Sequence, residues 1–191
     1  MMRLHWLVAG ILAVGVTSGC LDRSPGGNEP AKAPERYFGF AGVVSETGNN
    51  LAVAVVGSRV RAFVCDAQDE LWFDGEASKN GMVTFQNPKN KQRLGFFNTL
   101  EGVGAYWFNG RLRTFRAAPV DKPAGLYRAQ SPNGQLVGGW VVLPEGEQVG
   151  AVTNNGINQP VVPNIDTSTT TVTINGQQLA LKSGQELLSG G

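Results

Sequence analysis

The residues best suited to chemistry form an acidic stretch in the first half of the chain. Its carboxylates are Asp66, Asp69, Glu70, Asp74 and Glu76. Two carboxylates held at a fixed separation perform glycoside hydrolysis in many enzymes. Carboxylate oxygens also bind Ca²⁺, although the spacing of an EF-hand loop is absent here. Solvated turn residues are the third interpretation, so the stretch by itself assigns neither a catalytic residue nor a metal ligand.

Nucleophilic catalysis finds little support in the sequence. The chain has 191 residues and a single histidine, His5, so a base that activates a nucleophile is scarce. No nucleophile-elbow, zinc-protease or P-loop motif occurs. Cys65 ends the apolar run RAFVC, a setting typical of a small buried hydrophobic residue. The sequence therefore predicts no nucleophile and no cofactor.

Three aromatic clusters indicate contact with apolar surfaces instead. They occupy residues 71–73, 96–97 and 106–108. Neighbouring residues of a strand point to opposite faces, so each cluster places apolar area on both sides. We expect one side in the core, while the other fills a barrel interior, is covered by a second layer, or forms an exposed patch. The candidate ligand or partner contacts are Trp72, Tyr106, Trp107 and Phe108.

Basic residues are concentrated near two of these clusters. They are Lys89, Lys91, Arg93, Arg111, Arg113 and Arg116. They suit anionic lipid headgroups, or they are simply solvated side chains of turns and strand faces. The whole chain has a net charge of only +1, which argues against a strongly electrostatic nucleic-acid binder. We therefore predict no nucleic-acid partner.

The first twenty residues are typical of a secretory signal peptide. Arg3 provides a positive charge, and the apolar run over 6–16 is too short to span a bilayer as an ordinary helix. The small residues Thr17, Ser18 and Gly19 then precede Cys20. This junction resembles the lipobox of bacterial lipoproteins, with threonine where that family most often has leucine at the first of these positions.

The resemblance to bacterial lipoproteins implies a lipid anchor. It implies that the peptide is cut before Cys20 and that this cysteine carries a diacylglyceryl group with fatty-acyl chains such as palmitate. Two or more chains give stable membrane attachment. The protein is then expected on the cell membrane, facing outside the cytoplasm, and its partners include the membrane itself. Secretion after a different cut and an uncleaved transmembrane anchor are the alternatives.

The sequence divides into four parts. Residues 1–19 are the expected signal peptide, and residues 20–36 are the lipidated cysteine and a flexible tether rich in proline and glycine. A coil of this length has a root-mean-square span on the order of 20–25 Å. Residues 37–181 are predicted to form a single β-domain, and residues 182–191 a frayed tail.

Turn signals and short apolar runs predict an all-β fold. Asn-Gly between apolar runs is the strongest short-range hairpin signal. It occurs at Asn80, Asn109, Asn133, Asn155 and Asn175. Strands at intervals of 8–12 residues are typical of a sandwich or barrel. We expect an antiparallel meander of short hairpins, because sequential strands usually pair.

Two segments late in the chain have distinctive patterns. Residues 136–143, LVGGWVVL, are apolar on both faces, which predicts a central strand. Gly138 and Gly139 within it indicate either a bulge or a close backbone approach. Residues 157–170 contain two prolines and are predicted to form a crossing loop or strap.

The body of the chain also resembles a second group of proteins. Residues 125–150, GLYRAQSPNGQLVGGWVVLPEGEQVG, together with Cys65-Asp66 and the tryptophan-containing residues 71–73, resemble exported β-domains of unknown function that are common in actinobacteria. The resemblance covers about residues 37–181 and implies a fold but no activity. We expect Trp140 to anchor the core, and Pro144 with Gly146 to set a turn.

These observations predict a membrane-anchored exported lipoprotein with a non-catalytic binding or interaction β-domain. Its ligand is an envelope component, a small apolar molecule or another protein. An envelope hydrolase that uses carboxylates in 66–76 is one alternative. A passive structural or sensory lipoprotein that binds another protein is the other.

Overall fold

The structure, a computed structural model, describes residues 35–65, 70–91 and 94–190. Its first strands are β1 (Tyr37–Val44), β2 (Asn50–Val56), β3 (Arg59–Cys65), β4 (Glu70–Ala77), β5 (Met82–Gln86), β6 (Leu94–Asn98), β7 (Val103–Phe108) and β8 (Arg111–Val120). Each strand pairs antiparallel with the next, and β8 returns to pair with β1. The result is a closed eight-stranded barrel.

A curled sheet of six strands follows the barrel. Its strands are β9 (Gly125–Gln130), β10 (Leu136–Val142), β11 (Gln148–Asn154), β12 (Ile157–Asn158), β13 (Thr171–Ile174) and β14 (Gln177–Ser183). The spatial order is β12-β11-β10-β9-β14-β13. The predicted all-β fold is confirmed, and the barrel alternative applies to the first eight strands.

The Asn-Gly pairs lie in hairpin turns, as predicted. Asn109, Asn155 and Asn175 have φ values of 50°, 52° and 50°, and the glycine after each also has a positive φ. Two consecutive residues with positive φ form the type I′ turn, whose twist matches that of the paired strands. These turns connect β7 to β8, β11 to β12 and β13 to β14.

Side chains fill the barrel interior. Phe73, Phe85, Phe97, Tyr106 and Phe115 pack with aliphatic residues of the remaining strands in one cluster. Their rings lie 5.1–6.5 Å apart, centre to centre, along the chain of contacts that joins them. An interior of eight strands is just wide enough for side chains, so here it forms the core of the barrel.

The six-stranded sheet packs against the outside of the barrel. Small residues of β1 and β2, namely Ala41, Ala52 and Ala54, meet Leu126 and Val141 of the second sheet. Short side chains let the two backbones approach closely, and burial of both faces explains why β2 is apolar from Leu51 to Val56.

A second core lies on the other face of this sheet, beneath a strap that follows β12. Trp140 is fully buried there, and its indole Nε1 donates a hydrogen bond to the carbonyl of Pro163 at 2.9 Å. Gln148 makes two hydrogen bonds to the backbone of Ile165, at 2.9 and 2.8 Å. The predicted core anchor and the predicted strap are both confirmed.

The glycine pair of β10 marks a close approach and not a bulge. The register of β10 against β11 runs without interruption from Leu136 to Val142. A Cβ atom on Gly139 would lie 2.5 Å from the Trp72 ring and 2.7 Å from the Phe63 ring. Barrel side chains therefore occupy the space above this glycine. The strand is central and buried, as predicted.

The prediction of a frayed tail over 182–191 is wrong for the residues described. Strand β14 extends to Ser183, and helix α1 (Gly184–Ser189) follows it. Ser183 and Glu186 form a capping box, the reciprocal arrangement that satisfies free N–H groups at a helix start. Leu188 is buried in the interface between barrel and sheet. Burial of this leucine explains why the segment is ordered, although its polar composition is typical of a frayed chain end.

Candidate functional site

The aromatic cluster at residues 106–108 is divided between core and surface. Tyr106 lies inside the barrel with 2% exposure, and its ring centre is 5.7 Å from that of Phe73. Phe108 packs partly against the same core. Trp107 points outward, because successive residues of a strand alternate between the two faces. Of these three candidate contacts, Trp107 has the most accessible ring.

Trp107 belongs to a group of exposed apolar side chains on the outer face of the barrel, which we call the outer patch. Its members are Leu94, Phe96, Trp107 and Leu112, each 44–48% exposed. Together they expose apolar area on the order of 400 Å², which is the size of the largest patch on a typical monomer and often marks a functional surface.

The strand register makes the outer patch continuous. Trp107 and Leu112 are directly opposite each other on β7 and β8. Gly95 pairs with Tyr106, so the next step of the ladder brings Leu94 level with Trp107. Phe96 follows two residues later on the same face of β6. Side chains placed in this way across neighbouring strands lie within contact distance.

Cations surround the outer patch. Lys89, Lys91 and Arg111 are exposed near the end of the barrel where Leu94 and Leu112 lie. Arg116 is exposed farther along the outer face of β8.

The Glu46 carboxylate accepts hydrogen bonds from the Thr114 hydroxyl at 2.8 Å and the Thr114 amide at 3.1 and 3.2 Å. These bonds lower the pKa of Glu46.

Trp72, the remaining candidate contact, lies at the junction between the barrel and the second sheet. Its ring centre is 4.4 Å from that of Phe63, and the Arg128 guanidinium carbon lies 4.8 Å from the centre of the indole. Burial lowers the pKa of Arg128, with a smaller contribution from Arg61. The tryptophan is therefore held between an aromatic ring and a cation.

A small cleft of about 210 Å³ lies beside this junction. Glu70 and Trp72 line it from the barrel, Lys89 lies at the loop after β5, and Thr153 contributes from the second sheet. The indole Nε1 of Trp72 donates a hydrogen bond to the Glu70 carboxylate. Burial raises the pKa of Glu70, although hydrogen bonds from Trp72 and Thr153 act in the opposite direction.

The other described carboxylates of the acidic stretch lie away from this cleft. Asp74 accepts a hydrogen bond from the Arg61 guanidinium at 2.7 Å and forms an ion pair with it. Glu76 is exposed near the opposite end of β4. Asp66 and Asp69 lie outside the described residues. Within the described part of the cleft lining, Glu70 is the single carboxylate, so a two-carboxylate hydrolase stays a prediction.

A separate groove of about 620 Å³ lies at the end of the barrel where β1 begins. Phe38 and Leu100 line it, together with the cations Arg36 and Lys79. The guanidinium carbon of Arg36 lies 4.8 Å from the centre of the Phe38 ring. Phe38 is 44% exposed, close to the exposure of Phe96. Phe38 is therefore an aromatic side chain that lies outside the outer patch and is about as exposed as the aromatic residues within it.

One of the two cysteines lies within the described residues. Cys65 is buried between barrel and sheet, as expected for a small hydrophobic residue. Cys20, the predicted lipid attachment site, lies outside the described residues. In residues 35–65, 70–91 and 94–190, no cluster of His, Cys, Asp and Glu side chains is arranged to hold a metal ion. None of the helices in these ranges has the length and hydrophobicity to cross a membrane.

Sequence reasoning missed Leu94, Leu112 and Arg128 as members of these surfaces. The alternation within the strand carries a usable signal for Leu112 and Arg128. Leu112 lies between two arginines, and an apolar residue on the face opposite Phe115 is expected to point away from the core. Arg128 follows the buried Tyr127, so it faces the barrel side of the second sheet.

Comparisons with models of protein families, with the sequences of curated proteins and with solved structures gave no match to this chain. The outer patch and the Glu70 cleft contain the sequence-predicted candidates Trp107, Trp72 and Glu70.

Proposed function

We propose that this chain is an exported lipoprotein held on the cell membrane through Cys20, and that its β-domain is a non-catalytic binding module. The binding surface is the outer patch. The observation that carries this proposal is the continuous run of Leu94, Phe96, Trp107 and Leu112, half exposed on adjacent strands. A filled barrel interior supports a surface contact in preference to an internal ligand.

The outer patch is large enough to contribute usefully to binding. Covering it removes on the order of 400 Å² of apolar area from water, a gross gain on the order of 10 kcal/mol before the costs of association. Tryptophan is enriched among residues that dominate interface energies. The patch therefore suits a moderate or transient contact, or one that is strengthened by a membrane anchor.

Site-specific crosslinking tests the binding surface. A photoreactive benzoylphenylalanine is placed at Trp107 in one version of the chain and at Phe38 in another, and each is irradiated in the native cells. Phe38 is the matched control because it is an exposed aromatic residue at another end of the barrel. We expect a crosslinked product from position 107 and none from position 38. Equal products from both positions, or none from position 107, contradict the binding surface.

The lipid anchor is tested by mass. We expect protein extracted from membranes to have the mass of residues 20–191 plus a diacylglyceryl group and acyl chains. The Cys20→Ser variant is expected to lose this increment. An unlipidated mass in the parent chain contradicts the anchor and the membrane localisation, while the crosslinking result still decides whether the outer patch binds a partner.

An envelope hydrolase is the second candidate, since burial raises the pKa of Glu70 beside a cleft, as a general acid requires. Incubation with cell-wall glycan fragments, followed by mass spectrometry, tests it. Loss of product in Glu70→Gln but not in Glu76→Gln favours the hydrolase. Absence of product with the parent chain removes it.

A further inference from the structure

We infer that the outer patch binds an anionic membrane surface, so that the barrel lies with the outer face of β6, β7 and β8 against lipid headgroups. This inference rests on the proposed function, because it names the partner of the same patch. It adds a contact made by the folded domain itself, which is independent of a lipid on Cys20.

The charge distribution is the first step of the argument. Residues 82–120, which contain β5 to β8, carry six Lys and Arg residues and one acidic residue, Glu101. The net charge of the whole chain is only +1, so the rest of the chain has more acidic than basic residues. One side of the barrel is therefore markedly basic. Juxtaposed basic residues are attracted to anionic lipids.

The position of these charges relative to the outer patch is the second step. Lys91 and Arg111 are exposed where Leu94 and Leu112 begin their strands. Arg116 is exposed farther along the same outer face. Cations therefore flank the apolar side chains on two sides, and long basic side chains reach phosphates while apolar rings enter the interface.

The chemistry of the patch favours lipid over other anionic partners. A nucleic acid or an acidic polysaccharide offers phosphates or carboxylates to the cations, but little apolar surface to Leu94 and Leu112. The interface of a bilayer accommodates both kinds of group, because tryptophan rings settle at the headgroup level beside acyl chains. Phe96 and Trp107 suit that depth. Strands β5 to β8 themselves contain no acidic residue, whereas Glu101 lies in the turn between β6 and β7 and the Glu46 carboxylate is held by Thr114 of β8, so two carboxylates face the cations of this side.

The distance along the chain is compatible with this orientation. Sixteen residues lie between Cys20 and Tyr37, the first residue of β1. Their contour length reaches about 55 Å, whereas an eight-residue strand of the barrel spans about 26 Å. A chain anchored at Cys20 therefore has enough length for the side of the barrel to meet the same membrane.

Vesicle binding tests the inference with the full chain carrying Cys20→Ser, so that no acyl chain contributes. Flotation compares vesicles of phosphatidylcholine alone with vesicles that contain one third phosphatidylglycerol. The readout is the gain in affinity caused by the anionic lipid. Any contact made by the apolar residues 6–16 is present in every variant and in both kinds of vesicle, so it does not alter the comparison.

Two pairs of variants separate the patch from the rest of the surface. We expect Phe96→Ala with Trp107→Ala to weaken binding to anionic vesicles by about tenfold or more, and Phe38→Ala to leave it unchanged. Lys91→Gln with Arg111→Gln is expected to remove most of the gain from phosphatidylglycerol. Lys79→Gln with Lys182→Gln, two exposed cations elsewhere, is the matched control.

The possible results distinguish this inference from the proposed function. Equal vesicle binding by the patch variants and the parent overturns the inference. Heparin binding that depends on the same cations but not on Phe96 or Trp107 assigns the surface to an anionic polymer and also overturns it. A protein crosslinked at position 107, without a gain from anionic lipid, overturns the lipid partner and leaves the binding module standing. If position 107 gives no crosslinked product and the parent chain does not bind vesicles, both the proposed function and this inference are contradicted.

Discussion

The guanidinium carbon of Arg128 lies 4.8 Å from the centre of the Trp72 indole. One residue belongs to β9 of the six-stranded sheet and the other to β4 of the barrel. This cation–π contact therefore joins the two layers at their edge. Gly139 makes the arrangement possible, because a side chain there would overlap the Trp72 ring.

Replacement of Arg128 is expected to weaken the connection between the layers. Arg128→Ala removes the cation–π contact and the packing of the aliphatic stem, for an expected loss of about 1–3 kcal/mol in the free energy of unfolding. Arg128→Met retains the stem. It also removes a buried Nε that has no hydrogen-bond partner among the described residues, so the expected loss is about 1 kcal/mol or less.

Urea denaturation measures these differences, and Arg111→Ala is the control because Arg111 is exposed on β8. We expect the control to change the free energy of unfolding by less than about 0.5 kcal/mol. An Arg128→Ala variant as stable as the parent would show that the guanidinium contact adds nothing to the junction.

The stability of the domain is expected to depend on the protonation of Glu70. Burial raises the pKa of this carboxyl, so the folded domain holds the proton more tightly than the unfolded chain does. The free energy of unfolding therefore falls as the pH rises from the unfolded pKa through the higher folded pKa. Glu70→Gln abolishes this titration while keeping an oxygen that accepts from the Trp72 indole.

Thermal or urea unfolding across the range from about pH 4 to about pH 7 checks this dependence. We expect the stability of Glu70→Gln relative to the parent to increase with pH. Glu186→Gln is a control of opposite sign, because hydrogen bonds from Ser183 lower the pKa of Glu186. That contribution is present above the unfolded pKa and is lost as the pH falls. Parallel curves for parent and Glu70→Gln would contradict the role of burial.

Much of the fold is readable from the sequence because its strands are joined by local hairpins. The Asn-Gly pairs and the alternation of side chains predict where strands end and which strands are neighbours. Local hairpin signals do not distinguish a sandwich from a barrel, because closure of the barrel depends on pairing between β1 and β8. Gly42 of β1 pairs with Ala117 of β8, which is far away in the sequence. No turn motif predicts this pairing.

The candidate site is less predictable for a related reason. The pair Phe96-Phe97 has one ring in the core and one on the surface, and both residues are identical in type. Glycines decide the outcome: Gly95 leaves room for the Phe85 ring, and Gly104 leaves room for the Phe115 ring, on the inner side of the barrel. Phe97 shares that side and is buried, which sends Phe96 outward. Such complementarity involves neighbouring strands and is not visible within one.

Gln148 fixes the strap over the second core at Ile165, beside the hydrogen bond from Trp140 to Pro163. Gln148 accepts from the amide of Ile165 and donates to its carbonyl, so truncation leaves two polar backbone groups without these partners. We expect Gln148→Ala to cost about 1–3 kcal/mol in the free energy of unfolding. Hydrogen exchange is expected to accelerate at the Ile165 amide. Gln178→Ala, at an exposed position of β14, serves as the control; an unchanged exchange rate at Ile165 would contradict the clamp.

The C-terminal helix is expected to contribute to stability as a docked element. Leu188 is buried in the interface where barrel and sheet meet, and α1 itself is too short to be stable without that contact. We expect Leu188→Ala to lower the free energy of unfolding by about 2–4 kcal/mol, whereas Ser189→Ala, at the next and exposed position, is expected to have almost no effect. Urea denaturation compares the two variants with the parent. Equal stability of all three would restore the original expectation of a frayed tail, because an undocked helix loses nothing when its leucine is shortened.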